Sequence, residues 1–431
     1  MLHCSHCDAQ FHKWQGRCTE CGKWGTINKE EETQPTRKQA PASKAAAVLN
    51  LSDAKKERVS HKPTGIAELD RVLSGGIVPG SVILLAGEPG IGKSTLVAQL
   101  AASITGRPQG TAPTASSYYV SGEESEGQLL MRFERLNIDP AAIAFSNSVD
   151  VGAIISAAKK EQPTLMVVDS IQTMYSSEID NLPGTPTAVR AATAQLIECA
   201  KSTGIPVLLI GQVTKDGSVA GPKTLEHLVD TVLTLEGDSG SPYRILRCGK
   251  NRFGSTEEVG VFEMLESGMQ PVENPSARFL EERAQTPGSV VTCIMEGTRP
   301  FLVEIQALAE KSFFANPVRR TSGFDASRLQ MLLAIISKRT GVNVSGHDVY
   351  VNVVGGMKVK EYAVDLAVCA AVISSIKDKA IAEDTLVVGE LGLGGEVRSV
   401  PFLDRRIKEA ERLGLKTFLT PKTVKNLKDL Q

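Results

Sequence analysis

The sequence lacks the features that would place it in a membrane, a fibre or a strongly charged complex. None of its apolar runs approaches the roughly 18 to 20 residues that cross a bilayer. Its 38 Gly and 21 Pro are too few and too scattered for a fibrous or low-complexity chain. Lys and Arg total 48 against 49 Asp and Glu, so nucleic-acid binding would have to come from local basic patches. The N-terminus shows neither the cationic nor the apolar region of a secretory signal, and we therefore expect a cytoplasmic protein.

At roughly 150 residues per domain, a chain of 431 residues is long enough for about three folded units. Changes in composition along the chain indicate where the boundaries between them lie. Residues 1–28 are rich in cysteine, and residues 29–58 carry charge with little patterned hydrophobicity, which predicts a flexible linker. In residues 59–275 apolar strand-like runs alternate with helical stretches, which predicts a mainly parallel sheet covered by helices. The rhythm then changes, and a second α/β unit is predicted for residues 276–431.

Two CxxC pairs near the N-terminus predict a metal site. Cys4 and Cys7 form one pair, and Cys18 and Cys21 form the other after ten intervening residues. Four thiolates at this spacing favour one tetrahedral zinc ion with no open position for chemistry. A redox CxxC is the competing interpretation, but neither pair opens a helix in a βαβ unit. We therefore expect structural zinc here.

Trp14 and Trp24 are the only tryptophans of the chain, and both lie in this cysteine-rich segment. A segment this small cannot build a hydrophobic core of its own. We expect the two rings to cover the metal-bound knot, with stacking against nucleic-acid bases as the alternative.

Residues 87–94 fit the phosphate-binding P-loop pattern in full. They follow an apolar strand and precede a helical stretch from Thr95 to Ser103, which is the context that the pattern requires. The glycines let backbone N–H groups surround a β-phosphate, Lys93 can reach the β- and γ-phosphates, and Ser94 can bind Mg²⁺. The predicted nucleotide contacts in this segment are Gly87, Glu88, Pro89, Gly90, Ile91, Gly92, Lys93, Ser94 and Thr95.

Three later strands end in polar residues that would complete an ATPase site. Asp169 ends a buried strand and is expected to support Mg²⁺. Glu123 and Glu124 follow another strand, and since adjacent side chains point differently only one can orient water; we expect Glu123. Gln212 ends a third strand, where an amide can sense the γ-phosphate.

The cysteine motif, the P-loop core and Lys250-Asn251-Arg252-Phe253-Gly254 occur in an order that resembles the RadA (Sms) family of bacterial DNA-repair ATPases over nearly the whole chain. The resemblance implies an α/β fold with a RecA-like P-loop NTPase core, an N-terminal Cys4 zinc finger and a C-terminal Lon-protease-like domain. It further implies an ATP hydrolase of the helicase or translocase type that binds single-stranded and branched DNA during recombination. A hexameric ring and a RecA-type recombinase partner are implied too, with replication proteins as a further option.

The resemblance also assigns roles to individual residues. Lys93 and Glu123 are catalytic, ATP with Mg²⁺ is the cofactor set beside Zn²⁺, and Lys250 and Arg252 complete a nucleotide site or contact DNA. Loops at residues 174–190 and 213–224 correspond to RecA-like DNA loops. The candidate DNA contacts are Arg190, Lys215, Lys223, Lys250 and Arg252.

The Lon-like segment does not carry the residues that proteolysis needs. Ala363 stands where the Lon serine would be and Asp404 stands at the lysine position, so the chain has no nucleophile in that segment. An ATP-dependent protease is therefore the disfavoured alternative, and a non-motor ATP-switched scaffold is another. A basic helix face is expected in place of the protease site, formed by Arg405, Arg406, Lys408 and Arg412, and we expect this unit to serve oligomerisation or to bind duplex DNA.

Overall fold

A computed structural model describes most of the chain, in two compact units of residues 1–58 and 59–431. The predicted metal ligand Cys7, the predicted DNA contacts Lys215 and Lys223, and nearly all of the predicted linker lie outside the described residues. The described residues are 2–4, 6, 10–11, 13–29, 60–104, 117–177, 184–212, 224–237, 241–280, 283–313, 316–355 and 357–430.

The N-terminal unit contains a small antiparallel sheet with the strand order β2-β1-β3. Its strands are β1 (Leu2–Cys4), β2 (Gln10–Phe11) and β3 (Ile27–Lys29). The pairing of β1 with β3 brings the two ends of the cysteine-rich segment together, because Cys4 lies opposite Ile27.

The next part of the chain forms a nine-stranded sheet covered by helices. Its elements in chain order are α1 (Ala67–Val72), β4 (Val82–Gly87), α2 (Lys93–Ser103), β5 (Ser117–Ser121), α3 (Glu126–Arg135), β6 (Ile143–Ser146), α4 (Val151–Glu161), β7 (Leu165–Asp169), α5 (Pro186–Thr203), β8 (Val207–Gln212), β9 (Thr231–Glu236), β10 (Tyr243–Asn251), β11 (Val259–Leu265) and β12 (Gly268–Pro271).

The strand order is β12-β11-β10-β9-β4-β8-β7-β5-β6, and the six strands from β9 to β6 are parallel. The predicted mainly parallel sheet is confirmed. Strands such as β7 are buried along their full length, because helices cover both faces of a parallel sheet. Strands β10 to β12 add an antiparallel meander that the alternating pattern did not indicate.

The remaining residues form a second sheet of six strands in the order β15-β16-β14-β13-β17-β20, with a short β18–β19 pair beside it. The elements are α6 (Pro275–Leu280), β13 (Ser289–Glu296), β14 (Arg299–Lys311), β15 (Arg319–Ser322), α7 (Ala326–Thr340), β16 (His347–Val353), α8 (Asp365–Ile376), β17 (Thr385–Val387), β18 (Glu390–Leu391), β19 (Val397–Arg398), α9 (Leu403–Arg412) and β20 (Thr417–Leu419).

Two ion pairs connect strands of the second sheet to the first part of this larger unit, one to helix α1 and one to strand β10. Arg299 at the start of β14 donates to the buried carboxylate of Glu68 at 2.5 Å, and the Val261 amide donates to the same carboxylate at 2.9 Å. Arg247 on β10 donates to Glu296 at the end of β13 at 2.6 Å. The second sheet is thereby fixed against the antiparallel edge of the first.

Helix α8 is the most apolar helix, and it lies inside the core of the second sheet. Its 12 residues extend over about 18 Å, well short of a bilayer. Among the described residues, no helix combines the length and the hydropathy that a membrane span requires.

Candidate nucleotide and metal sites

Strand register brings the predicted ATPase residues to one edge of the nine-stranded sheet. Gly87 at the end of β4 lies beside Gln212 at the end of β8, and Ser121 at the end of β5 lies beside Asp169 at the end of β7. The loop after β5 carries Glu123 at the same edge. Carboxyl ends of parallel strands share one edge of a sheet, and this is where such folds bind ligands.

The P-loop backbone is shaped for an anion. Gly90 and Gly92 have φ values of 75° and 111°, which side-chain-bearing residues rarely adopt. Gly92 is the N-cap of α2, and no side chain caps the first turn of this 11-residue helix. The uncapped amides and the positive end of the helix dipole therefore face the loop, where phosphate oxygens would be stabilised.

The Lys93 ammonium lies within the loop. It donates hydrogen bonds to the carbonyl oxygens of Gly87 at 2.8 Å and Glu88 at 2.9 Å. Burial lowers the pKa of Lys93, and the carboxylates of Asp169 and Glu123 oppose this shift. The amine is thus buried, close to both predicted carboxylates and available for phosphate oxygens.

The Asp169 carboxylate is held from behind by a tyrosine. Tyr119 is fully buried, and its hydroxyl donates to Asp169 Oδ2 at 2.8 Å. Burial raises the pKa of Tyr119 well above its usual value, and Asp169 raises it further, so the phenol stays protonated as a donor. Sequence reasoning missed Tyr119, because a tyrosine within an apolar strand is indistinguishable from a core residue.

Glu123 is held by two donors from neighbouring strands. The hydroxyl of Ser170 donates to Glu123 Oε1 at 2.5 Å, and Gln212 Nε2 lies 3.0 and 3.2 Å from the two carboxylate oxygens. The side chain remains exposed, so a water molecule can reach it. Sequence reasoning placed Glu123 and Gln212 here but missed Ser170, whose position directly after Asp169 was the available signal.

Glu124 has a different partner. Its carboxylate forms an ion pair with Arg132 on α3. Burial raises the pKa of Glu124 against the opposing effect of Arg132. The two adjacent glutamates therefore face different surroundings, and the side chain of Glu123 is the one beside Gln212.

The donor set fits a nucleoside triphosphate with Mg²⁺. Ser94 lies in the first turn of α2, and the Asp169 carboxylate is at the end of β7. Hydroxyl and carboxylate oxygens are the hard ligands that Mg²⁺ prefers. Thr95 follows on α2, where it is half-buried.

The structure separates Lys250 and Arg252 from the P-loop of their own chain. Strand β10 runs antiparallel to β9, which places Asn251 level with Ile83 of β4. Ile83 is four residues from Gly87, or about 13 Å along the strand. The two cations therefore lie at the opposite edge of the sheet from the phosphate loop.

Both cations have partners at that opposite edge. Lys250 Nζ donates to the carbonyl oxygens of Glu226 at 2.7 Å and Val229 at 2.8 Å. Burial lowers the pKa of Lys250, and the charge of Arg252 lowers it further. Arg252 donates to Asp230 at 3.0 Å and is half-exposed. Lys250 thus anchors the segment that follows the predicted loop 213–224. The predicted loop 174–190 is wrong for its last five residues, because α5 begins at Pro186; Arg190 lies on this helix and is exposed.

Three of the four predicted zinc ligands lie together. The thiol sulfurs of Cys4, Cys18 and Cys21 are all within 4.8 Å of one another. Sγ of Cys4 is 3.7 Å from Sγ of Cys21. A tetrahedral site with Zn–S bonds near 2.3 Å requires sulfur atoms about 3.8 Å apart, so the geometry fits zinc.

The expectation that the two tryptophans cover the metal-bound knot is wrong. Trp14 is 68% exposed and Trp24 is 74% exposed. Cys4 and Cys18 are buried instead by Leu2, Phe11 and Cys21, which are partly buried and pack against them. An indole is not required to close so small a site, because the thiols themselves form its centre.

The C-terminal part has no serine–lysine pair at the expected positions. Ala363 is buried against Cys293 and Leu403 in a small core cluster. Asp404 is exposed and accepts a hydrogen bond from Lys422 at 2.9 Å. Position 363 is thus filled by packing, and position 404 points into solvent.

The predicted basic face of α9 is wrong in part. Arg406 is only 1% exposed, donates to the Glu361 carboxylate at 2.6 and 2.8 Å, and donates to the Pro401 carbonyl at 3.1 Å. Arg412 pairs with Glu409 at 2.9 Å. At about 100° per residue, Arg406 falls on the face of α9 that also carries the buried Leu403 and Ala410, whereas Arg405, Lys408 and Arg412 lie on the exposed face.

Comparison with family models gives three matches along the chain. Residues 3–29 match a rubredoxin metal binding domain, residues 49–218 an AAA domain, and residues 326–424 the subunit ChlI of Mg-chelatase. Their order follows the predicted metal-binding, ATPase and C-terminal units, and they confirm the predicted fold class.

Whole-chain comparison finds long matches among curated proteins. DNA repair protein RadA of Aquifex aeolicus is 44% identical over 98% of this chain and 93% of its own length. DNA repair protein RadA of Bacillus subtilis is 43% identical over 97% and 91%, and that of Escherichia coli is 42% identical over 97% and 91%. Among solved structures, a RadB recombinase is 26% identical over 49% of this chain and 99% of that chain, with a TM-score of 0.39.

Proposed function

Because the chain belongs to the RadA family of DNA repair proteins, we propose that it is a DNA-translocating ATPase of the helicase or branch-migration type that processes recombination intermediates. The observation that carries the ATPase assignment is the bonding of Glu123 to both Ser170 and Gln212 at the edge that holds the P-loop. A carboxylate oriented in this way can position water for attack on a γ-phosphate.

The residues divide the work of hydrolysis among them. The P-loop amides and the Lys93 ammonium stabilise phosphate charge, and Ser94 and Asp169 would hold Mg²⁺, which supplies further charge neutralisation when bound. Tyr119 fixes one oxygen of Asp169. Glu123 accepts a proton from, or orients, the attacking water.

The motor assignment is supported by the path of the chain after β8. Gln212 contacts Glu123 and directly precedes the proposed DNA loop 213–224. Lys250 holds the carbonyl groups of Glu226 and Val229 just after that loop. Loss of the γ-phosphate on hydrolysis can therefore shift Gln212 and with it the start of the proposed DNA loop, while Lys250 holds the segment that follows the loop. We propose Arg190, Lys215 and Lys223 as DNA phosphate contacts.

We further propose a homo-oligomeric ring of six subunits in which Arg252 acts on the nucleotide of the neighbouring subunit, while Lys250 holds the carbonyl groups of Glu226 and Val229. A head-to-tail ring brings different surfaces of adjacent subunits together. A cation at the edge opposite its own P-loop can reach a nucleotide phosphate across such an interface. The alternative for a cation at this edge is a contact with DNA. A RecA-type recombinase is the proposed protein partner, and single-stranded and branched DNA are the proposed substrates.

The first prediction tests the function as a whole. ATP hydrolysis is expected to rise when single-stranded DNA is added, and the protein is expected to unwind or migrate a forked duplex. Lys93→Ala should nearly abolish both activities because a buried cation at the phosphates is lost. Lys201→Ala, at an exposed lysine of α5, is the matched control. An ATPase indifferent to DNA and inactive on the fork would instead support a nucleotide-switched scaffold.

A second prediction concerns the metal, which we propose is one structural Zn²⁺ per chain bound by Cys4, Cys7, Cys18 and Cys21. Replacing Cys4 and Cys18 together by Ser should release it, because a structural zinc site contributes on the order of 10 to 16 kcal/mol to local folding. The ATPase part should stay folded, since residues 59–431 form a separate compact unit.

Elemental analysis of gently purified protein, with thermal unfolding in parallel, measures both effects. Cys199→Ser changes a buried cysteine far along the chain on α5 and should leave the zinc content at one per chain. A wild-type chain that contains no zinc, or a double variant that retains it, would contradict the assignment.

A further inference from the structure

Two indole rings lie side by side on the surface of the N-terminal unit. Trp14 and Trp24 are both more than two-thirds exposed. A methyl group built on Gly16 would lie 3.7 Å from the Trp24 ring and 3.9 Å from the Trp14 ring. The two rings therefore border one small apolar surface, at which Gly16 leaves their faces accessible.

Local hydrogen bonding holds this surface in shape. Arg17 and Trp24 pair as an isolated antiparallel bridge, so their side chains lie next to each other. The Arg17 guanidinium is 5.9 Å from the centre of the Trp24 ring, and its Nε donates to the Gly22 carbonyl at 2.8 Å. The cation is thus fixed beside the ring while the ring stays open to solvent.

The charge around the two rings is positive. Lys13, Arg17 and Lys23 are exposed within residues 13–26, and Glu20 is the single carboxylate in that range. The core of a protein–protein interface is depleted of lysine, whereas a surface that tracks a phosphate backbone combines lysine and arginine with aromatic rings. The composition of this surface matches the second kind.

We infer that Trp14 and Trp24, with Arg17, form a stacking platform for the bases of single-stranded DNA. The inference extends the proposed function, since it adds a DNA contact outside the ATPase part. Bases in a duplex are stacked on one another, so exposed indoles can bind only bases that are unpaired. Lys13 and Lys23 supply the charge that attracts the adjoining phosphates.

The test uses the fact that these are the chain's two tryptophans, so tryptophan fluorescence reports on this surface alone. Titration of the full chain with oligodeoxythymidine is expected to quench that fluorescence, with a midpoint equal to that of DNA binding measured by anisotropy of a labelled oligonucleotide. Duplex DNA of the same length should quench it much less. Quenching that is absent while anisotropy reports tight single-strand binding would overturn the inference and leave the proposed function intact.

Two double variants separate base stacking from simple apolar contact. Trp14→Phe with Trp24→Phe keeps aromatic faces and should bind the oligonucleotide within a few-fold of wild type. Trp14→Leu with Trp24→Leu keeps apolar surface without a π-face and should bind about 5- to 150-fold more weakly for each stacked base lost. Equal affinity of the Leu and Phe variants, both with wild-type zinc content, would overturn the inference. Failure of the wild-type chain to bind any single-stranded DNA would overturn the proposed function with it.

Discussion

Replacement of Glu123 by Gln is expected to lower the rate of ATP turnover by about 10²- to 10⁴-fold while nucleotide still binds. The carboxylate lies at hydrogen-bond distance from Ser170 and Gln212 and is exposed at the phosphate edge. An amide of the same shape can still contact Gln212, but it cannot accept a proton from water. Single-turnover hydrolysis and equilibrium binding of a fluorescent ATP analogue measure the two effects separately.

Glu124→Gln is the matched control, because it makes the same change one residue along the chain. Glu124 pairs with Arg132 on α3, so removing the Glu124 charge should lower the thermal unfolding temperature. The rate of ATP turnover should stay close to that of the wild type. If Glu124→Gln abolished hydrolysis while Glu123→Gln hydrolysed ATP at the wild-type rate, the assignment of the water-orienting carboxylate would be wrong by one position.

Arg252→Ala is expected to reduce DNA-stimulated ATP turnover by about 10³- to 10⁵-fold, the contribution of an arginine that acts from a neighbouring subunit. Arg252 lies at the sheet edge opposite its own P-loop and is half-exposed beside Asp230. Nucleotide binding to the isolated subunit should change little, because the residue is remote from that site. Arg398→Ala removes another exposed ion-paired arginine, on β19, and should leave turnover unchanged.

Mixing of two inactive variants decides whether the site is shared. Lys93→Ala subunits carry an intact Arg252, and Arg252→Ala subunits carry an intact P-loop. In rings assembled at random from an equal mixture, about a quarter of the interfaces would combine an intact P-loop with an intact Arg252. ATP turnover should therefore recover to roughly a quarter of the wild-type rate. Mixtures as inactive as either variant would contradict action across subunits and favour a DNA contact for Arg252.

The sequence by itself determined those sites whose functional residues lie close together along the chain. A P-loop between a buried strand and a helix, an aspartate at the end of another strand, and two CxxC pairs each carry their structure within a short segment. The edge that Asp169, Glu123 and Gln212 share could be predicted as well, because parallel strands align their carboxyl ends.

Tertiary structure alone decided which side chains touch one another. Ser170 binds Glu123 across 47 positions in the sequence, and Tyr119 binds Asp169 across 50. Arg406 on α9 is buried, and its guanidinium binds the carboxylate of Glu361, 45 positions earlier in the sequence. Such contacts depend on strand register and on packing between distant segments, which no local pattern encodes.

The same reason explains the location of Lys250 and Arg252 and the exposure of the two tryptophans. A short motif specifies residue types, but the antiparallel turn of β10 against β9 decided which sheet edge received the cations. Composition suggested that a small metal-bound segment needs aromatic cover, whereas the fold closed it around clustered thiols and left Trp14 and Trp24 in solvent. Residue identity therefore determined the chemistry available to this chain, and long-range pairing determined where that chemistry is presented.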